Sequence, residues 1–101
     1  MRPAAFQPQL QLFVCANERA ADAQLGPGCG ARGRDVFAAL KREAQRRGLA
    51  SSVWVTETKC LGVCPKDGCA LAISHGGGVF EGVSVDDARA LMASVEERRR
   101  E

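Results

Sequence analysis

"VWVTETKCLGVCPKDGCALAIS", residues 53–74, decides how this chain is read. Val53 to Thr58 is a β-branched and aromatic run with the composition of a strand. The short apolar run from Cys69 to Ser74 reads as another. Between and beside them, three of the chain's five cysteines fall from position 60 to position 69. Thiols so closely spaced can serve a disulfide, a zinc ion, a redox dithiol or an iron–sulfur cluster. The sequence on either side discriminates among these.

Upstream, "LQLFVCA" gives a buried strand over Gln9 to Cys15. "NERAADAQLGPGCGARG", residues 17–33, reads as a long loop rich in glycine and small polar residues, and loops of that length are often functional. "RDVFAALKREAQRRG" then sets Val36, Phe37, Leu40 and Ala44 on one helical face, with basic residues in the last turn and Gly48 as C-cap. Strand–helix–strand implies a parallel pair joined by a right-handed crossover. Downstream, "CALAIS" and "GVFEG" form a hairpin through "HGGG". In "SVDDARALMASVEE", Ser84 and Asp87 have capping-box spacing, and Leu91, Met92 and Val95 make the apolar face of a last helix. The expected fold is therefore α/β: βαβ followed by ββα, a four-stranded mixed sheet with two helices on the bare thioredoxin-like plan. One domain spans residues 1–101, its core over 9–95 and a solvated C-terminal tail over 96–101.

The 101 residues suffice for one domain with a modest core, in which a metal centre would add stability by assembling only on folding. With 14 basic against 12 acidic residues and no basic stripe, nucleic acid is not an expected partner. No apolar run approaches a membrane span, and Gln7, Gln9 and Gln11 interrupt any signal-peptide core. A cytoplasmic location is expected, where thiols stay reduced. An odd cysteine count also suits metal or redox chemistry better than a disulfide framework.

In a parallel unit, the C-terminal ends of both strands lie at one edge of the sheet. Cys15 and Cys60 therefore start near each other, and their loops return Cys29 and Cys64 to them, so that four thiolates converge. A thioredoxin-type dithiol needs C-x-x-C, which no pair provides. Zinc bound by four cysteines usually shows two tight knuckles, whereas thirteen residues separate Cys15 from Cys29. A Rieske centre needs two histidines, and the chain has one. Inert buried thiols account poorly for four that meet at loop ends. An iron–sulfur cluster remains, its type left open by spacing alone.

The strand-terminal Cys15, "GCGARG" around Cys29, "CLGVC" at 60–64 and "EGVSVDDA" before the last helix together resemble the thioredoxin-like [2Fe–2S] ferredoxins. The same domain occurs in the small iron–sulfur subunit of NADH:quinone oxidoreductase. The likeness covers residues 9–95. It implies one [2Fe–2S] cluster on Cys15, Cys29, Cys60 and Cys64, a one-electron carrier rather than an enzyme, and oxidoreductase donor and acceptor proteins as partners. It also implies a homodimer packed through the sheet–helix side away from the clusters. "PKDGCA" departs from the family pattern by placing Cys69 where a proline is usual. The rival functions are a structural zinc-binding interaction module and a cluster-delivery accessory.

Several other residues read more plainly. Cys69, at the head of a strand, is a small buried residue rather than a ligand. His75 is a turn residue, and Trp54 and Met92 are packing residues. Arg19, Arg32, Arg34, Lys59 and Lys66 flank the cysteines, where they can offset cluster charge and steer an acidic partner.

Overall fold

Six elements follow one another in the computed structural model, which describes residues 1–16, 29–59 and 68–99. They are β1 (Leu10–Cys15), α1 (Gly30–Arg46), β2 (Val53–Thr58), β3 (Cys69–Ile73), β4 (Gly78–Val83) and α2 (Val85–Arg99). The sheet order is β2-β1-β3-β4. β1 runs parallel to β2, from Leu10 opposite Val53 to Cys15 opposite Thr58. β3 is antiparallel to both β1 and β4. The mixed four-stranded sheet with two helices is the expected architecture.

The core follows from the strand pleat, which sends successive side chains to opposite faces. Leu12 and Val14 of β1, Val53 and Val55 of β2, and Leu71 of β3 are buried. They pack in one cluster with Val36, Leu40 and Ala44 of α1 and with Ala88 and Met92 of α2. Burying a side chain such as Leu40 contributes roughly 1.5–3 kcal/mol, so this cluster is the main source of stability. Leu91 and Val95 pack against it, half-buried, as the helical period requires.

Helix α1 starts four residues before the expected Arg34, inside "GCGARG", with Cys29 as its N-cap. Its first turn holds Gly30 and Gly33, residues that read as loop in a sequence. Gly33 is the first residue of the helix to bond back, its N–H meeting the carbonyl of the N-cap Cys29. At the other end, the Gly48 N–H donates to the Gln45 carbonyl (3.2 Å) and the Leu49 N–H to the Ala44 carbonyl (2.7 Å). Those two bonds are a complete Schellman closure.

The capping box of α2 is reciprocal. The Ser84 N–H donates to Asp87 Oδ2 (2.9 Å), and the Asp87 N–H donates to Ser84 Oγ (3.1 Å). An ionic chain ties the two helices. Glu43, 7% exposed, accepts from Arg46 (2.8 Å) and Arg47 (3.1 Å), and Arg47 also reaches Glu96 (3.4 Å). The Arg46 hydrogen bond holds the Glu43 carboxyl down at about 2, with Arg47 assisting against a smaller burial penalty. His75 occupies the hairpin turn at φ 59, as a turn residue. Among the described residues, no helix is long and apolar enough to cross a membrane.

Candidate metal centre

The parallel register ends β1 and β2 side by side. The Ala16 N–H donates to the Thr58 carbonyl (2.9 Å), Thr58 Oγ1 donates to the Val14 carbonyl (3.3 Å), and Cys15 Sγ donates to the Lys59 carbonyl (3.5 Å). Cys15 is 1% exposed, although it closes its strand. Helix α1 begins against it. A Cβ at Gly33 would run into the Cys15 carbonyl oxygen, so only glycine permits this approach of helix to strand. The Gly33 N–H in turn donates to the Cys29 carbonyl (3.0 Å).

The result brings Cys29, also 1% exposed, into hydrogen-bond contact with Cys15. Burial raises the Cys29 pKa most, and the neighbouring Cys15 raises it further. A hydrogen bond from the Ala70 backbone and the charge of Arg32 pull it the other way. Cys69 is fully buried, and its thiol is pushed up to about 12, first by burial and then by the nearness of Cys29 and Cys15. It is a neutral thiol at any physiological pH. Cys15, Cys29 and Cys69 are all free, and no three metal-ligating side chains among the described residues are grouped closely enough to hold an ion.

Of the four expected ligands, Cys15 and Cys29 come together at the sheet edge, while Cys60 and Cys64 lie outside the described residues. Lys59, whose carbonyl accepts from Cys15, is the residue before Cys60. Arg32, Arg34 and Lys59 are described; Arg19 and Lys66 are not.

Two neighbours of the site escape the sequence reading. Cys69 is buried as expected, and its place beside the other thiols is the unexpected part. Its position follows from β3 running antiparallel to β1, which sets the start of β3 at the edge where β1 ends. Gly33 carries no periodic signal at all. The signal for it lies in its place as the fourth residue of a helix that begins at Gly30, ahead of the periodic stretch.

A mixed sheet of this order with two helices is a thioredoxin-like fold, and two buried thiols lie at the edge where its parallel strands end. Among solved structures, the chain is similar to the wild-type thioredoxin-like [2Fe–2S] ferredoxin from Aquifex aeolicus, with a TM-score of 0.76 and 22% identity over 90% of this chain and 88% of that one. A second structure of a ferredoxin of this kind from that organism gives 0.73 and 24% over 84% and 77%. A cysteine-to-serine variant gives 0.73 and 22% over 91% and 90%. No model of a known protein family matches the chain. No curated protein matches it either. At these identities the likeness establishes the fold.

Proposed function

We propose that this chain is a one-electron carrier that holds one [2Fe–2S] cluster on Cys15, Cys29, Cys60 and Cys64. The observation that carries the reading is the burial of Cys15 and Cys29 at the edge where β1 and β2 end, with the Cys15 thiol bonded to the carbonyl of Lys59, the residue before Cys60 in the sequence. The donor set fits the group: two sulfurs on adjoining elements, a backbone N–H directed at one of them, and dry surroundings suited to thiolate–iron bonds. The solved structures of similar fold add support. Two of them are serine variants of cysteines four positions apart in that protein, the spacing of Cys60 and Cys64 here. When bound, the cluster would supply a reversible one-electron couple. The protein's own work is to hold the sulfurs, exclude water and present the site to partner proteins.

Further parts of the reading rest on single features. Free thiols at Cys15, Cys29 and Cys69 suit a reducing compartment such as the cytoplasm. A homodimer is supported by a groove of about 240 Å³ between β3, β4 and α2, lined by Leu71, Ile73, Phe80, Val83 and Leu91. Half-exposed Phe80 at the rim of that groove, on an edge strand, suits a second copy. Phe80→Glu should then lower the mass measured by light scattering to that of one chain.

The test of the main reading is purification of the full chain with iron and sulfide analysis. Two irons and two sulfides per chain, a red-brown colour and reversible one-electron reduction are expected. A colourless protein containing one zinc identifies the structural zinc module instead. Transfer of an intact cluster to an acceptor apoprotein, without turnover as a redox partner, identifies a delivery accessory.

A further inference from the structure

The outer edge of β2 is open. In the order β2-β1-β3-β4 this strand has one neighbour, β1. The Ser52 carbonyl accepts from the Gln9 N–H (2.8 Å) and the Thr58 carbonyl from the Ala16 N–H (2.9 Å), so both face β1. Backbone groups alternate sides along a strand, so the N–H and C=O groups of Val55 and Glu57 point away from β1. Among the described residues, no backbone group bonds to them. The Val53 N–H, on the same outer side, is already bound to the Leu49 carbonyl (2.9 Å). Beside this edge lies a groove of about 270 Å³, lined by Lys41 and Gln45 of α1 and by Val53, Trp54, Val55 and Thr56 of β2.

The two edges of the sheet differ. β4 has glycine at 78 and 82, and its register against β3 is irregular. β2 pairs without interruption over six residues and contains neither proline nor glycine. A regular edge of that kind is a template for a further strand.

The surroundings specify the occupant. Val53 and Val55 are buried in the core, so Trp54 and Thr56 lie on the opposite face of the sheet. Trp54 is 37% exposed, its Nε1–H donates to the Ser51 carbonyl (3.3 Å), and its ring stacks on Phe6 with centroids 6.1 Å apart. On the helix side, Lys41 is exposed and pairs with no acid among the described residues. Helix α1 sets Arg32, Arg34, Lys41, Arg42 and Arg46 against Asp35 and Glu43, and Glu43 is held by Arg46 and Arg47. Glu57 stands two positions past Val55, beyond the groove, which leaves the Lys41 half of the edge positive.

We propose that the free edge of β2 binds an extended segment of a partner protein as an added strand, with acidic side chains toward Lys41 and apolar ones beside Trp54 and Phe6. The pleat of the added strand produces that alternation. Main-chain hydrogen bonds to Val55 and Glu57 supply affinity, and the alternate side chains supply specificity. Nothing in this site depends on the cluster.

The probe is a short synthetic peptide that alternates glutamate with valine. Trp54 is the single tryptophan of the chain, so its emission reports this edge directly. Addition of the peptide to the full chain should move Trp54 emission to shorter wavelength, saturably, and slow amide hydrogen exchange at Val55 and Glu57. Lys41→Glu should weaken binding about tenfold. Methylating the peptide's backbone nitrogens on the pairing side should abolish it. An unchanged emission overturns the proposal, as does equal binding of a peptide with lysine in place of glutamate. Equal binding of the methylated peptide also overturns it, leaving charge attraction alone. Slow exchange at Val55 and Glu57 in the free chain overturns it too. Protection that grows with chain concentration would give the edge to a second copy, and protection that does not would give it to the chain's own residues.

Discussion

The Cys15 thiol donates to the Lys59 carbonyl across 3.5 Å, joining the end of the first strand to the residue that precedes Cys60. Forty-four positions of chain separate these two groups, and the parallel register brings them together. Serine in place of Cys15, Cys29, Cys60 or Cys64 should each lower iron content to well below half of wild type. Cys69→Ser should retain it. Full iron in Cys64→Ser with loss in Cys69→Ser would reverse the ligand assignment.

Pairing of ligands is a separate expectation. Cys15 and Cys29 should share one iron, because both are buried at the same sheet edge and their thiols influence each other. Cys60 and Cys64 should share the other. A crystal structure of the cluster-bearing chain with Cys15 and Cys60 on one iron would refute this.

Gly33→Ala should destabilise the domain by about 1–3 kcal/mol or more, as overpacking does where backbone cannot retreat. Chemical denaturation of the cluster-free chain reads this directly. The outcome that counts against the close approach is a midpoint indistinguishable from wild type.

Acid should weaken the link between the helices. The Glu43 carboxyl lies at about 2 in the folded chain, against an ordinary value of 4.5. A depressed folded value gives stability that is complete above about pH 4.5 and is lost as pH falls toward 2. Glu43→Gln should therefore lower Tm at pH 7 and show less further loss between pH 5 and pH 2 than wild type. Equal acid slopes in the two proteins would place the effect elsewhere.

If the proposed carrier role holds, electron transfer to an acidic partner should slow as salt rises, because a basic rim including Arg32 and Lys59 would steer that partner over the roughly 8–10 Å that salt leaves unscreened. Lys59→Glu should slow it at low salt and flatten the dependence. Rates indifferent to both, with the cluster intact, would mean that these side chains only solvate the loops.

Much of this was legible in the sequence, because strands and helices carry their burial pattern locally. The alternation in "LQLFVC", the β-branched run Val53–Thr58 and the Ser84–Asp87 capping box each specify one element without help from the rest. Cys69 was harder. Its nearness to Cys29 depends on β3 joining the sheet beside β1, a choice that element order alone does not make. The early start of α1 was hidden for a different reason. Its first turn is written in glycine and arginine, and it is fixed by contact with Cys15 rather than by periodicity.

The approach of Gly33 to the Cys15 carbonyl bears on how quickly an electron could move. A helix set against a strand with no room for a methyl group cannot shift much when the charge beside it changes. Cys29 caps that helix and Cys15 ends that strand, so both sulfurs are carried by closely packed backbone. Charge transfer is slowed by the nuclear rearrangement it demands, and a preorganised, dry site demands little. A low reorganisation energy would then be the kinetic counterpart of one missing side chain.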